Sequence, residues 1–398
     1  MTDEPEMFSE PSEEGERAGM RHFLHAKSPY VAFMEEEGIP IYRDIIGVSD
    51  IRALDLGDWP RMGARGAFFR LDGLDEIKSL YALEIPGGGQ TIPERHLYHE
   101  FYLVIEGRGT LETWRDEKRK QILEWQPGSL FVLPPNVDHR LINATKERVL
   151  ILATTNLPPI MNIFRDRNFI LNNDYDFTQY YSDDPDFYRY DEKLYAWELN
   201  KRAQTRTNFY PDIVNCELPL DNQRAPGYRR IQPGWRGLED VYGGFISQYP
   251  PGRYSRGHRH GAGAVLVCLR GRGYTYTWPS ELGTTPWSDG HGDQVRELHY
   301  GPGGFVAAAP GGGAWFHQHF GVSEDYFRVI NFENGPTQNI YAGGDERETA
   351  TSGNLPISQG GRSIGYSVED PYVRKHFEEE LAKDGMKSEM PEELYRTD

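Results

Sequence analysis

Short apolar runs with a period of two, separated by glycine and proline, dominate two long stretches of the chain. In the first stretch the alternating segments are Ser79–Ile85, Phe101–Ile105, Leu130–Leu133 and Val149–Thr154. In the second stretch they extend from Gly243–Tyr249 to about Phe332. Because successive side chains of a strand point to opposite faces, this period predicts the antiparallel strands of a barrel or sandwich.

The segments around these stretches have a different pattern. Residues 161–240 are rich in Asp, Asn, Arg and Tyr and have weak periodicity, which predicts a long irregular connector with one helical piece near Asp191–Arg202. The predicted organisation is an N-terminal arm and entry segment (1–66), a first barrel (67–160), the connector (161–240), a second barrel (241–335) and a C-terminal extension (336–398). A short helix is expected at Pro371–Leu381 in the extension.

An internal repeat relates the two barrel regions. The segment Leu103–Trp114 matches Val267–Trp278, and each copy contains Gly-Arg-Gly and ends in Trp. Further along, Gly128 and Pro134 match Gly304 and Pro310, with 12 extra residues in the second copy. These extra residues fit the polar loop Pro279–Gln294. Two matched segments in the same order indicate a duplicated unit.

The second copy contains a His-x-His pair, His258 and His260. On a strand, this spacing places both imidazoles on one face, and a third ligand from another strand would complete a metal site.

Together with the repeat, these residues resemble the cupin superfamily, and specifically a bicupin with two fused copies. The first family motif is G-x5-H-x-H-x3/4-E-x6-G, and the second is G-x5-P-x-G-x2-H-x3-N. In the second copy, Gly252, His258, His260 and Gly271 fall on the first motif, whereas Ala264 replaces its Glu. The His of the second motif is displaced into Trp315–His319. The resemblance implies His317 as the third ligand, with His319 as the alternative.

The first copy matches with one departure. Its matching residues are Gly88, Glu94, His96, Glu100 and Gly107 on the first motif, and Gly128, Pro134, Asn136, His139 and Asn143 on the second. Glu94 stands where the first His is expected. The resemblance gives Glu94, His96, Glu100 and His139 as a candidate ligand set, and His99 is expected to face the other way. Alternatively, Glu94 pairs with Arg95 or Arg140, and the barrel holds no metal.

The three histidines of the second barrel make it the favoured metal site. Three neutral imidazoles with open coordination positions suit Fe(II), and also Zn, Ni, Cu or Mn, and the set resembles the 3-His sites of some cupin dioxygenases. Arg256 and Arg259 are candidates to hold a carboxylate substrate, or else form a solvated edge. Together with His319 they are the predicted catalytic residues. The aromatic side chains either wall a substrate pocket or belong to ordinary barrel core; they are Trp278, Trp315, Phe316 and Phe320.

Composition and charge exclude several other classes of protein. The chain has 398 residues and a net charge of −18, so phosphate backbones and anionic lipid should repel it. No apolar stretch approaches the ~18 residues needed to cross a bilayer. The two cysteines, Cys216 and Cys268, form no disulfide framework, which favours a reducing cytoplasm.

The resemblance implies a non-haem Fe(II) dioxygenase that uses O2 to cleave a small aromatic or oxygenated acid, similar in architecture to gentisate-type ring-cleaving bicupins. One alternative is a redox-neutral decarboxylase, lyase or isomerase with Mn, Zn or Ni, in which Glu94 or Glu100 serves as acid or base. The other is a non-enzymatic ligand-binding bicupin. No organic cofactor site is predicted. A homo-oligomer is expected, because cupin edge strands pair readily and the arms could cross to a partner.

Overall fold

The computed structural model of the chain describes residues 27–74, 76–181, 184–196, 202–222, 224–236, 242–260, 264–310, 315–334 and 355–396. Its helices are α1 (Pro29–Glu36), α2 (Leu157–Phe164), α3 (Arg167–Leu171) and α4 (Pro371–Ala382). Strands of the first half are β1 (Ile41–Ile45), β2 (Gly47–Val48), β3 (Gly57–Trp59), β4 (Ala64–Leu71), β5 (Ser79–Ile85), β6 (Glu100–Glu106), β7 (Gly109–Trp114), β8 (Gln121–Trp125), β9 (Leu130–Leu133), β10 (Asp138–Ile142) and β11 (Val149–Thr155). Strands of the second half are β12 (Tyr195–Ala196), β13 (Ala203–Arg206), β14 (Phe209–Tyr210), β15 (Arg229–Gly234), β16 (Tyr242–Tyr249), β17 (Val265–Arg270), β18 (Gly273–Pro279), β19 (Arg296–Tyr300), β20 (Phe305–Ala307), β21 (Trp315–Gly321) and β22 (Phe327–Asn334).

Each half of the chain folds as a barrel made from one large and one small sheet. In the first barrel the large sheet has the order β1-β4-β5-β11-β6-β9-β14, with β3 paired to β4, and the small sheet is β10-β7-β8. In the second, the large sheet is β12-β13-β15-β16-β22-β17-β20-β2 and the small sheet is β19-β18-β21. The predicted all-β fold of two tandem cupin (jelly-roll) barrels is therefore confirmed.

The sequence repeat corresponds to the same pieces of both barrels. Its Gly-Arg-Gly segment joins β6 to β7 in the first copy and β17 to β18 in the second. The matched Gly…Pro segments contain β9 and β20. The extra residues of the second copy form a loop with two short 3-10 turns before β19.

The two barrels share strands and an apolar interface. Strand β2 comes from the entry segment but pairs with β20 of the second barrel, and β14 comes from the connector but pairs with β9 of the first. Side chains of β5 are buried on both faces: Tyr81 and Leu83 face the first barrel's interior, whereas Leu80 and Ala82 belong to a cluster shared with the second barrel. A strand that is covered on both faces needs apolar residues at odd and at even positions, and β5 has them at both.

The connector and the entry segment contain more structure than the sequence pattern predicted. The helix expected near Asp191–Arg202 is wrong where the chain is described, because Tyr195–Ala196 forms β12; residues 197–201 lie outside the described residues. The connector also supplies β13, β14 and β15. Residues 1–26 of the expected arm, Gly335 at the end of the expected second barrel and residues 336–354 of the extension likewise lie outside the described residues.

The C-terminal helix forms as expected, as α4. Its first turn is capped by the Asp370 side chain, which accepts a hydrogen bond from the Tyr372 amide, and Pro371 follows the cap. Val373, Phe377 and Leu381 are buried and pack on the outer face of the small sheet of the second barrel. No helix of the described residues is both long and apolar enough to span a bilayer.

Candidate metal centres

The four candidate residues of the first barrel are brought together by strand pairing. The backbones of Glu94 and His139 exchange two hydrogen bonds of 3.0 Å, so their side chains lie next to each other. Glu100 is the first residue of β6, and His96 lies four residues before it in the preceding loop. One ligand atom from each of Glu94, His96, Glu100 and His139 lies within 4.8 Å of every other. The structure thus assembles the whole predicted set.

Hydrogen bonds fix the tautomer of both histidines. The His96 Nδ1 lies 2.9 Å from the Tyr98 carbonyl oxygen, and the His139 Nδ1 lies 3.0 Å from that of Val137. A carbonyl only accepts, so each Nδ1 carries a proton and each Nε2 is directed at the cluster. The His139 Nε2 is buried 3.6 Å from a Glu94 carboxylate oxygen; burial lowers the pKa of His139, but this carboxylate outweighs it and raises the pKa overall. Two imidazoles directed at two carboxylates in one buried cluster fit a divalent cation, which would displace the protons that they share.

The two carboxylates have different surroundings. Glu100 is fully buried and accepts hydrogen bonds from the Tyr102 hydroxyl at 2.7 Å and from Tyr81, while the His96 Nε2 lies 3.0 Å away. Glu94 accepts a 2.6 Å bond from Arg61. Burial raises the pKa of Glu94, but the Arg61 charge and the hydrogen bond with His139 outweigh it and lower this pKa overall. Glu94 is therefore a carboxylate at neutral pH.

A cavity of about 820 Å³ adjoins this cluster. Glu94 belongs to both the cluster and the cavity lining, and three arginines line the cavity with it: Arg61, Arg95 and Arg167. Arg95 pairs with Asp138 at 2.5 Å, and Arg61 and Arg167 both pair with the buried Glu37. Glu94 therefore pairs with Arg61 and not with Arg95 or Arg140, the partners that the alternative from the sequence named.

The second barrel assembles His258, His260 and His317. Residues His258 and His317 exchange backbone hydrogen bonds of 3.0 and 2.9 Å, and their Nε2 atoms lie 3.1 Å apart. The three histidines each place a ring nitrogen within 4.8 Å of the others. Burial, followed by the charges of Arg224 and the neighbouring imidazoles, lowers the pKa of His258 well below its usual range, and burial does the same for His317. Both rings are neutral, which metal binding requires.

His319 lies beside this cluster but not within it. Its Nδ1 lies 2.9 Å from the Thr275 hydroxyl, and its ring centre lies 5.4 Å from that of His317. Of the two candidates for the third ligand, the structure therefore brings His317 into the three-histidine cluster and leaves His319 adjacent.

The other predicted site residues point elsewhere. Arg259 packs over the Phe316 ring at 5.5 Å, and Arg256 lies 5.4 Å from the Tyr366 ring. Of the two alternatives for the aromatic side chains, the structure shows packing rather than a pocket wall for Trp278, Phe316 and Phe320, which belong to the apolar cluster under α4. Phe316 and Phe320 alternate with His317 and His319 along β21, and Trp278 pairs with Phe316 across the sheet. All three side chains therefore face the outside of the barrel. The Trp315 ring contacts Arg296.

In the first barrel the structure also shows contributors that the motif did not single out. Tyr102 follows Glu100 by two residues on β6, so the period of two could have placed it on the same face. Arg61 lies in a basic segment, but only the fold carries it to Glu94. His99 is turned away from the cluster, as expected: its amide donates to Asn156 at 2.8 Å, and its ring contacts Tyr180.

Comparison with family models supports the fold of the first barrel. Residues 82–155 match the family model described as cupin domain. No curated protein matches the chain in sequence. In all, 522 chains of solved structures match. One is a variant of the oxalate decarboxylase of Bacillus subtilis, with 11% identity, 84% of this chain and 86% of that chain covered, and a TM-score of 0.46. The same enzyme at pH 4.6 has 12% identity, coverage of 74% and 77%, and a TM-score of 0.46. Similarity at this level says nothing about the reaction of this chain.

Proposed function

Since this chain is a bicupin of the cupin superfamily, we propose that it is a metal-dependent enzyme that converts a small organic acid without net oxidation, as a decarboxylase, lyase or isomerase. The reaction centre is the four-residue cluster of the first barrel. The observation that carries this proposal is Glu94, which belongs both to that cluster and to the wall of the 820 Å³ cavity. A substrate in the cavity would therefore lie directly against the ligand set.

The donor set favours a hard divalent cation. Two imidazoles and the Glu100 carboxylate, with the Glu94 carboxylate beside them, suit Mn(II) or Fe(II), which take oxygen ligands readily. When bound, such a cation would act as a Lewis acid toward the substrate carboxylate. His96, His139 and Glu100 would hold it, because their remaining polar atoms are fixed by the Tyr98 and Val137 carbonyls and by two tyrosine hydroxyls.

The surrounding chain supplies orientation and charge. Arg61 holds Glu94 at the cavity wall, and a substrate carboxylate would compete for the same guanidinium. Glu94 is the only member of the ligand set that lines the cavity, so it is the group placed to move a proton to or from the substrate.

A second candidate function is the Fe(II) dioxygenase suggested by the sequence. It is favoured by one observation, the three-histidine cluster of the second barrel, which includes no carboxylate among the described residues. In this case O2 would be consumed in proportion to substrate.

Metal content and gas exchange test these proposals. We expect protein purified anaerobically to contain manganese or iron, and His96→Ala to lose one metal per chain together with turnover. The turnover of a panel of small carboxylic acids is then followed as O2 uptake with an oxygen electrode and as release of CO2.

Stoichiometric O2 uptake that disappears in His260→Ala and survives in His96→Ala would replace the first proposal with the second. Absence of any metal after reconstitution would contradict both and leave a ligand-binding protein.

A further inference from the structure

The C-terminal segment 355–366 covers a part of the second barrel whose counterpart in the first barrel is open. Glu94 and His258 occupy the same position of the duplicated unit, and each exchanges two backbone hydrogen bonds with a ligand histidine of the neighbouring strand. Residues 92–95 of the first barrel therefore correspond to residues 256–259 of the second. In the first barrel these residues belong to the wall of the cavity of about 820 Å³.

In the second barrel the C-terminal segment pairs with this position through its backbone. The Arg259 amide donates to the Arg362 carbonyl at 3.1 Å, and the Ile364 amide donates to the Gly257 carbonyl at 2.7 Å. His258 lies between these two hydrogen bonds and is bridged to β21 on its other side. The stretch of chain that carries His258 is therefore held between β21 and the C-terminal segment.

A buried apolar side chain of the C-terminal segment fills the space beside this pairing. Ile364 is 2% exposed, and its Cδ1 lies 3.1 Å from the position that a Cβ on Gly257 would take. Ile364 belongs to the same apolar cluster as Phe316. Phe316 is the counterpart of Asp138 in the cavity wall, because each directly precedes the ligand histidine of its strand. Ile364 thus occupies the place that the cavity has in the first barrel.

Tyr366 anchors the end of the segment. It is 4% exposed, and its hydroxyl donates to the Tyr254 carbonyl at 2.9 Å. Its ring centre lies 5.4 Å from the guanidinium carbon of Arg256. Arg256 is the counterpart of Ile92, which is 50% exposed at the cavity of the first barrel. Each residue from 256 to 259 therefore has a partner in the C-terminal segment.

We infer that residues 355–366 form an autoinhibitory plug, which keeps the three-histidine cluster closed on the side of His258 and whose release opens a cavity there. Glu94 is partly exposed at the cavity of the first barrel, whereas its counterpart His258 is buried. Without the plug, His258 would border an open cavity as Glu94 does. The contacts that hold the plug are hydrogen bonds and apolar packing, which can open locally while the rest of the fold stays intact. This inference goes beyond the proposed function, because that function belongs to the first barrel.

Chemical modification of the histidines tests this closure on the full chain after removal of metal with EDTA. Diethyl pyrocarbonate acylates the neutral imidazoles that it can reach, and mass spectrometry of the peptides gives a rate for each histidine. We expect His258 to react at least about tenfold faster in Ile364→Ala than in the parent, because the loss of a buried side chain favours local opening. Tyr366→Phe removes one buried hydrogen bond and should accelerate the reaction of His258 several-fold. This smaller change keeps the test decisive if Ile364→Ala does not fold.

The first barrel supplies an internal control in the same samples. His96 and His139 should react at the parent rate in both variants, because the plug does not touch their barrel. The matched control variant is Val368→Ala, which alters a side chain of the same extension that is 55% exposed. It should leave the rate of His258 unchanged.

The inference is wrong if His258 in the parent reacts as fast as His299, which is 47% exposed. It is also wrong if neither Ile364→Ala nor Tyr366→Phe accelerates the reaction of His258. Equal acceleration of the two first-barrel histidines would contradict it as well, since the segment would then stabilise the whole chain rather than close one centre. Metal content and turnover are measured separately, so failure here leaves the proposed function standing.

Discussion

Hydrogen bonds outside the ligand set decide what each ligand of the first barrel can do. The Tyr98 and Val137 carbonyls hold His96 and His139 in the tautomer that presents Nε2. The hydroxyl of Tyr102 holds one oxygen of Glu100 at 2.7 Å. Such partners typically change metal affinity by about 10- to 100-fold when they are lost, because the ligand must then be ordered by the metal itself.

Replacing Tyr102 with Phe should therefore weaken metal binding in the first barrel. We expect Tyr102→Phe to raise the Kd for Mn(II) about tenfold or more, as measured by competition with a chelator. Tyr188→Phe is the matched control, since Tyr188 is also buried but donates to the Val132 carbonyl. Equal Mn(II) affinities in the two variants would contradict a positioning role for Tyr102.

At the scale of elements, strand alternation and tight turns decide which side chains reach the centres. Along β21, His317 and His319 face the inside of the second barrel, whereas Phe316 and Phe320 pack under α4. The turn between β6 and β7 contains Gly107, whose φ of +84° is left-handed. A Cβ there would lie 2.8 Å from the Arg148 carbonyl oxygen. The repeat therefore keeps glycine at this turn for both backbone and steric reasons.

Alanine at Gly107 should cost more stability than alanine at another left-handed glycine. Gly290 has a φ of +83° but no atom within 4 Å of the Cβ position. We expect Gly290→Ala to lower the free energy of unfolding by about 1 kcal/mol, and Gly107→Ala by about 1–3 kcal/mol more, because of the clash. Urea denaturation measures both. Equal losses would show that the close packing of the turn does not matter.

The docking of the C-terminal segment should depend on pH through Glu369. Burial raises the pKa of Glu369 to about 7, although hydrogen bonds from Tyr254 and Gln318 oppose the shift. The folded chain thus holds this proton more tightly than the unfolded chain, whose pKa is near 4.5. This contribution to stability is complete below about pH 4.5 and is lost as the pH rises through about 7.

Replacing the Glu369 carboxyl group with an amide, which does not titrate, tests this pH dependence. We expect the Tm of Glu369→Gln to fall less between pH 5 and pH 8 than that of the parent chain. Glu378→Gln is the control, because Glu378 is 45% exposed and pairs with Arg374 on the surface of α4. If Glu369→Gln and the parent lose the same Tm over this range, Glu369 does not titrate as expected.

At the scale of the whole molecule, the two barrels are joined through apolar packing and exchanged edge strands. Phe101 is fully buried at their interface, with ring centres 5.0 Å from Trp235 and 6.1 Å from Phe332. Strand β2, from the entry segment, extends a sheet of the second barrel, whereas β14, from the connector, extends a sheet of the first barrel. The barrels should therefore unfold together.

Loss of the Phe101 ring should weaken this coupling. We expect Phe101→Ala to lower the free energy of unfolding by about 3–5 kcal/mol, and calorimetry to show two thermal transitions where the parent shows one. Ile122→Ala removes a side chain that is 65% exposed and should change stability by about 0.5 kcal/mol or less. A single transition in Phe101→Ala would contradict coupling through this ring.

The sequence by itself determined the two barrels and the residue types of both clusters. Period-two runs located β5 and β9 to the residue, and the repeat identified the duplicated unit. His258 and His260 lie two apart, so they could be assigned to one face without knowledge of the fold. The motif spacing also supplied Glu94, His96, Glu100 and His139, because strand pairing acts on fixed residue separations.

Only the tertiary structure decided which groups meet across the fold. Arg61 and Arg167 reach the first-barrel cavity from segments outside the repeat. Arg224 comes from the connector, where periodicity is weak, and its charge acts on His319 of the second barrel. The choice of His317 over His319 also depended on the pairing of β21 with the His258 segment. Contacts between residues far apart in sequence depend on sheet closure and barrel docking, and no local pattern in the chain encodes their distances.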